Sequence, residues 1–315
     1  MTKNEVIFVR LKKKHVVSST TITKREWIGP TLLIMPFLVL FFLFTILPIL
    51  ASAVLSLTSY DMINAPAFNG ISNYIRLFLY DDIFQIALTN TLVFSVVTGP
   101  LSFFLCFMLA WFINDLPPFL RNVVSFIFYS PALAGNAYFI WQYIFSGDSF
   151  GMFNNFLMTF GFITEPVQWF KSADYALPLV MLVQLWLSLG VSFLSNIAGL
   201  QNVGQEMYEA GVIDGIRNRW QELWYITLPS MKNILLFSAV MQIQSSFSVS
   251  GVATTLTGNP STNYVTHTIV THMTDYGSTR YEMGYASAIA VVLFVIMAVA
   301  RILIDKLMNA FGSED

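Results

Sequence analysis

Six stretches of this chain are uncharged, or nearly so, for about the length that crosses a bilayer: residues 30–57, 86–113, 122–145, 176–200, 233–256 and 284–300. A helix rises 1.5 Å per residue, so about 20 apolar residues span the ~30 Å hydrocarbon layer. The last stretch is the shortest, and its helix is expected to run on through Arg301 towards Lys306, whose long side chains can reach the interface. A large soluble core would instead show helices with one polar face, and these stretches have none. Only 11% of the 315 residues are charged, less than half the roughly 25% of a soluble domain. The pattern predicts an all-α integral membrane protein with six transmembrane helices.

The positions of the basic residues predict its orientation. If the N-terminus lies inside, 13 of the 16 Lys and Arg residues fall on the inner side, and only Arg76, Lys171 and Arg280 fall outside. That asymmetry is what the positive-inside rule requires, and six spans then return the C-terminus to the cytoplasm. The first stretch follows 29 residues rich in Lys and Arg and is much longer than the 7–15-residue core of a signal peptide, so it reads as an anchor. Cys106 is the one cysteine of the sequence, which excludes an intrachain disulfide within it.

The connections are unequal. Residues 114–121 form a tight inner turn, broken by Asp115 and Pro117-Pro118. The outer loops 58–85, 146–175 and 257–282 can each hold a short helix or cap. Pro36, Pro48, Pro100 and Pro131 lie inside spans, where they either kink a helix or bend it around a translocation path.

The inner loop 201–232 contains EMYEAGVIDGIRNRWQELWYITLP at 206–229. Glu206 and Glu209 sit at the start of an expected helix, where its dipole favours acids. Met207, Ala210, Gly211, Ile213 and Asp214 make a surface of small residues with apolar spots, and Gly215 permits a turn. A second helical piece over 218–226 carries Trp220, Leu223 and Trp224, closed by Leu228-Pro229. A short helix, a glycine turn and a second helix against the membrane suit docking into a groove on another protein.

These residues resemble the membrane subunits of ATP-binding-cassette importers, whose inner loop reads EAA, three residues, G, about nine residues, then I-x-LP. The matching positions are Glu209, Ala210, Gly215, Ile226, Leu228 and Pro229. IAGLQNVG at 197–204, Asn73-Tyr74 with Leu77-Phe78, 87–92 and 283–288 are similar to the MalF-like member of the maltose-type permease pair. The chain departs from the pattern at three points. Gly211 replaces alanine, Gly204 replaces a proline, and one extra residue lies between Gly215 and Leu228.

The resemblance implies the type I ABC importer permease architecture in a bacterial or archaeal cell (inner) membrane. Its parts would be a cytoplasmic tail at 1–29, a first transmembrane helix at 30–57, a transmembrane domain at 86–307 with the coupling loop at 201–232, and a tail at 308–315. It further implies ATPase coupling by Tyr208, Glu209, Ala210, Ile213, Asp214, Gly215 and Arg217. The implied partners are a second, MalG-like permease, two ATPase subunits, an extracytoplasmic solute-binding protein, a carbohydrate substrate and membrane lipid, with no nucleic acid. The sequence has no G-x-x-x-x-G-K-[ST] phosphate loop, so no cofactor is expected on this chain, and ATP and Mg are expected on the ATPase subunits.

Uncharged polar residues in the spans are the hint about cargo: Asn136, Gln142, Gln184, Ser188, Gln242, Ser245 and Ser246, with the aromatic Tyr138, Trp141 and Trp186 nearby. Amides beside aromatic faces suit the hydroxyls and ring faces of a sugar, while interhelical hydrogen bonds are the alternative use of each. No acidic or basic side chain lies mid-span, which argues against a proton relay. His267 and His272 lie five residues apart with no adjacent carboxylate or cysteine, so metal binding is not expected, and no nucleophile–base pair is visible. Rival readings are the same architecture importing a glycerol phosphate or a peptide, a secondary transporter, and a membrane scaffold.

Overall fold

Hydrocarbon offers the backbone no outside hydrogen-bond partners, and the computed structural model of the chain has helices as the regular elements of its described residues. It describes residues 28–311; the tail residues 1–27 and 312–315 lie outside the described residues. Among the described residues there is no β-strand, only an isolated antiparallel bridge between Thr58 and Phe68. The chain divides into two units, residues 1–51 and 52–315. The described part of the first is one apolar helical run, Ile28–Phe41 followed by a π-helical turn at Phe42–Ile46. Pro48, just beyond, has no N–H to give the turn before it, and widening is how a helix absorbs such a loss.

The second unit is built on the helix Asp82–Asn114, 33 residues long and unbroken through Pro100. Asp81 caps it, its carboxylate accepting from the Phe84 amide at 2.9 Å. It stops where Asp115 and the proline pair follow. Val191–Asn202 and Lys232–Phe247 pack against it, and small residues set the approach. A Cβ on Gly99 would lie 3.1 Å from Ile243, and one on Gly199 would lie 2.8 Å from Met231. Close packing of this kind replaces the hydrophobic drive that lipid cannot supply. Trp111, Phe193, Leu223 and Met231 fill the core at one end.

Three described helices are long and apolar enough to cross a membrane: Leu32–Leu55, Asp82–Asn114 and Met283–Leu307. Two bent pairs raise the number to five: Ala176–Leu187 with Val191–Asn202 at 42°, and Arg219–Ser230 with Lys232–Phe247 at 82°. The expected span 122–145 is not one helix. Pro118–Leu133 ends two residues after Pro131, turns occupy 134–138, and helix resumes at Phe139–Ile144. The stretch 233–256 breaks likewise at 248–250, before Gly251–Thr257. The last helix continues to Phe311, so residues 308–311, assigned to a tail from sequence, are helical.

At the end of the unit away from the 205–230 segment, a buried polar chain ties the loops to the helices. The Tyr285 hydroxyl donates to Asp81 Oδ2 at 2.6 Å, His272 Nε2 lies 3.1 Å from the same oxygen, and His272 Nδ1 lies 3.2 Å from His267 Nε2. A carboxylate does therefore stand beside the histidine pair, supplied from 191 residues away in sequence. The facing nitrogens are spent on one another. Asn90 adds two bonds, to the carbonyls of Tyr264 and His267. Burial opposes the charge of Asp81, but hydrogen bonds from His272, Tyr285 and the Phe84 amide outweigh it and hold its carboxyl well below the usual range. Burial first, then the neighbouring His272, push His267 down to about 4.

Both shifts carry a pH dependence of fixed sign. An unfolded histidine takes up its proton near pH ~6.5, whereas folded His267 resists it, so its contribution is full above that value and is lost as the pH falls towards about 4. The contribution of Asp81 is full above its unfolded value of roughly 3.9 and is lost only below it. The thermal midpoint of the purified protein should therefore fall as pH is lowered from 7 towards 4.5, in ~0.5-unit steps that resolve a titration. His267→Phe should flatten that fall; parallel curves for variant and wild type would refute the assignment.

Candidate functional site

The 205–230 segment is shaped by its glycines. The helix Gln205–Ile213 starts after Gly204, with Glu206 in its first turn, and is capped at Asp214. Gly215 then takes φ +95°, the Gly215 amide donates to the Val212 carbonyl at 3.2 Å, and the Ile216 amide to the Gly211 carbonyl at 2.9 Å. This pair of bonds is the Schellman ending, which needs a residue free to adopt positive φ. Asn218 opens the next helix by accepting from the Gln221 amide at 2.9 Å, while Gln221 Oε1 accepts from the Arg217 amide at 2.9 Å. Arg219–Glu222 leads into a π-helical turn at Leu223–Thr227 and then into Leu228–Ser230.

The predicted coupling residues cluster on this turn. Glu209, Ala210, Ile213, Asp214, Gly215 and Arg217 are all exposed, Ile213 at 86%. Glu209 accepts from Gln205 at 3.0 Å on the outer face of the helix. Tyr208 is the exception: half-buried, its hydroxyl meets the Thr227 hydroxyl at 3.0 Å and joins the two helices. Met207, Asp214, Gly215 and Tyr225 line an open cleft of about 520 Å³ on the same surface. Arg219 was missed by sequence reasoning. It pairs with Asp115, donates to the Trp111 carbonyl at 3.0 Å and lies 4.2 Å from the Trp111 ring centroid. One side chain thereby fixes the turn to the end of the long helix. No local motif announces it, because the partner lies 108 residues upstream.

The polar residues of the spans separate into two groups. Gln184 donates to Ser245 at 3.3 Å; Ser245 is exposed and Gln184 half-buried. Beside them Gln242 is buried, donating to the Ser188 carbonyl at 3.0 Å and lying 3.0 Å from Cys106 Sγ. Ser246 bonds back to Ile243, and Ser188 to Leu185. The space these residues enclose leaves no room for a water molecule. Gln242, Ser188 and Ser246 thus spend their bonds on the helices. Trp186 packs edge-on to Trp141 at 5.5 Å, and Trp141 stacks on Phe145 at 5.9 Å. Tyr138 and Asn136 bond each other at 3.0 Å in the break at 134–138. Gln142 lies apart, in a cleft among the loops.

Residues 88–311 match the family described as the binding-protein-dependent transport system inner membrane component. The chain belongs to that family. It is a multi-pass membrane protein and a transport subunit, not itself an enzyme. It is 30% identical over 279 residues to the probable ABC transporter permease protein YesP of Bacillus subtilis, covering 87% of this chain and 88% of that one. It is also 30% identical over 288 residues to the arabinooligosaccharides transport system permease protein AraP of the same organism, covering 91% and 90%. A subunit from the crystal structure of a bacterial ABC transporter involved in the import of the acidic polysaccharide alginate shares the fold. The TM-score is 0.73 at 22% identity, over 91% of this chain and 96% of that one.

The structure explains how this transport component accommodates its three departures from the expected loop pattern. A Cβ on Gly211 would lie 2.6 Å from Ile226 Cδ1, so glycine lets Ile226 pack against the first helix. The π-helical turn at Leu223–Thr227 is the wider winding that takes up one additional residue without moving the helix ends. Gly204 has φ −61° and ψ 133°, with Val203 extended before it at ψ 120°. Both are conformations that proline and its predecessor adopt. Gly204→Pro is therefore expected to keep transport activity and to stabilise the protein by about 0.4–1 kcal/mol through the unfolded chain. Thermal or denaturant unfolding of the two proteins checks this, and a lower midpoint for the variant would contradict it.

Proposed function

We propose that this chain is a membrane-spanning subunit of an ATP-driven importer of carbohydrate, sugar or oligosaccharide, working by alternating access. Its exposed Gly215 turn is the surface that an ATPase moves. The observation that carries this reading is the combination of exposure and anchoring in one short segment. Ile213 and Glu209 are presented outward, while Arg219 and Tyr208 secure the turn to the helices behind it. A surface with that construction can be pushed from outside and pass the displacement inward. Arg219 carries it to Trp111 and Asp115 at the end of the long helix, and Tyr208 carries it to Thr227 at the foot of Lys232–Phe247.

Six spans with both termini in the cytoplasm place the turn on the side where ATP is available, in agreement with the distribution of basic residues. ATP and Mg²⁺ belong to two separate ATPase chains. A second, homologous permease completes the path, and an extracytoplasmic solute-binding protein delivers the solute. The names of relatives support a carbohydrate: arabinooligosaccharides for AraP and alginate for the structural neighbour. The Gln184–Ser245 pair, close in sequence to Trp186, offers amide and hydroxyl groups of the kind a sugar requires.

Glu209→Lys reverses the charge beside the turn, and Gly215→Pro forbids its positive φ. In the complete importer each is expected to lower solute-binding-protein-stimulated ATP hydrolysis and uptake together, by about 5- to 150-fold, the usual scale of coupling between sites. Both variants retaining wild-type stimulation, with the ATPase still co-purifying, would defeat the assignment.

A further inference from the structure

The loops 58–85, 146–175 and 257–282 carry three bases: Arg76, Lys171 and Arg280. Arg76 pairs with Glu282 and lies 4.2 Å from the Tyr285 ring centroid. Arg280 pairs with Asp275 at 2.8 Å and covers the Tyr276 ring at 4.2 Å. Lys171 differs. Among the described residues no ion pair or hydrogen bond engages its ammonium group, and it lines an open cleft of about 620 Å³. That volume lies within the roughly 300–1,000 Å³ range of small-molecule sites.

The walls of the cleft are built, not left over. Asn154 is wholly buried and shares its amide N–H groups among the carbonyls of Ser146, Asp148 and Val167 at 3.0–3.1 Å. Its carbonyl accepts from the Val167 amide at 3.2 Å and from Trp169 Nε1 at 2.8 Å. One side chain thus holds both walls, 146–148 and 167–169. Gln168 Nε2 donates to the Gly147 carbonyl at 2.7 Å and leaves its Oε1 free to accept. Trp169 is braced by Phe153 and Tyr175 at 5.1 and 5.4 Å. The Asp148 carboxylate is already taken up by the amides of Phe150 and Gly151 and the Ser146 hydroxyl.

The groups left for a ligand are the Lys171 ammonium, the Gln142 amide, Gln168 Oε1 and the Thr255 hydroxyl, beside aromatic surface from Trp169. An apolar solute would leave these polar groups unpaired, and a cation would meet Lys171. A saccharide satisfies both kinds of surface: its hydroxyls bond the amides and ammonium, and its C–H face lies on the ring. We propose that this cleft is an outer saccharide subsite, separate from the Gln184–Ser245 pair within the spans, with Lys171 directed at an oxygen-bearing ring substituent. The proposal rests on the carbohydrate reading above and adds a second, loop-borne site to it.

The test uses the complete importer in lipid nanodiscs without its solute-binding protein, with maltotriose and trigalacturonate as probes in saturation-transfer NMR. Wild type should give a saturable signal with at least one of them. Lys171→Ala should weaken the apparent affinity about tenfold, equivalent to ~1.4 kcal/mol, and Thr255→Trp, which fills the cleft, should abolish the signal. Weakening of both probes supports the subsite with a hydroxyl as the Lys171 partner; weakening of trigalacturonate alone supports it with a carboxylate there. Lys171 is exposed and its side chain carries no internal bond, so its variant serves even if the tryptophan variant fails to assemble. No signal in wild type, or signals equal in wild type and Lys171→Ala, overturns the subsite. Uptake with solute-binding protein separates the two failures. A wild-type importer that takes up saccharide but fails the NMR test loses only the subsite, whereas one that takes up no saccharide loses the carbohydrate reading as well.

Discussion

Every backbone group within hydrocarbon must find its partner inside the protein, and each irregularity of this fold is shaped by that requirement. The long helix Asp82–Asn114 meets it by running without a break, even through Pro100. The breaks elsewhere have partners waiting. At 188–190 the Ser188 carbonyl accepts from Gln242, and the Cys106 thiol lies 3.5 Å from it. At 134–138 the Ala134 amide still reaches the Ser130 carbonyl at 3.1 Å. Beyond Phe247, the Val249 carbonyl accepts from the Thr268 hydroxyl at 2.7 Å. Buried Gln242 and Thr268 are thus part of what makes non-helical backbone tolerable, which gives such side chains a structural role before any solute is considered.

The two ends of the larger unit solve the problem differently. At the Asp81 end, loops are held by a dense buried network in which Asp81, His272, His267, Tyr285, Asn90 and Thr91 connect elements far apart in sequence. Low local dielectric strengthens such a network when its members are satisfied; among the described residues His267 Nδ1 meets no hydrogen-bond partner. The Gly215 end has little of this. Its turn is held by Arg219, Tyr208 and the packing of Ile226 on Gly211, and its tip is exposed. A stiff end and a tethered, exposed end are what a lever needs, and the long helix joins them.

Much of this was legible in the chain because apolar length, basic-residue placement and glycine position are local signals. The helices starting at 82 and 283 and the breaker at 115–118 all follow from composition within a window. Gly215 was readable as a turn because few other residues tolerate φ +95°. What stayed hidden has one physical character: contacts between residues distant in sequence. Asp81 with His272, Arg219 with Asp115, and Gln242 with Ser188 leave no periodic trace. The break in 122–145 was hidden for a different reason, since a proline in a span can be either carried, as Pro100 is, or followed by an end, as Pro131 is. Neighbouring packing decides between them. Among the polar residues, Gln142 was grouped with Gln184 on chemistry alone, and only its position separates a loop-borne cleft from the interior of the spans.

That separation bears on how a solute could move. Gln142 sits one residue from Trp141, which packs on Trp186, two residues beyond Gln184. The Trp141–Trp186 contact thus has a residue of the outer cleft beside it in sequence on one side and the Gln184–Ser245 pair near it in sequence on the other. Aromatic rings offer a sugar a surface on which it can slide, because dispersion and C–H contacts change little with small displacements, whereas hydrogen bonds to fixed amides hold it at discrete places. Amide-rich stations separated by indole surface would combine recognition with release, since neither station need bind tightly for both to be visited in turn. The absence of mid-span charge in the sequence fits the same logic. A fixed ion would trap a polar solute, or demand a counter-charge from it, at the depth where passage must be easiest.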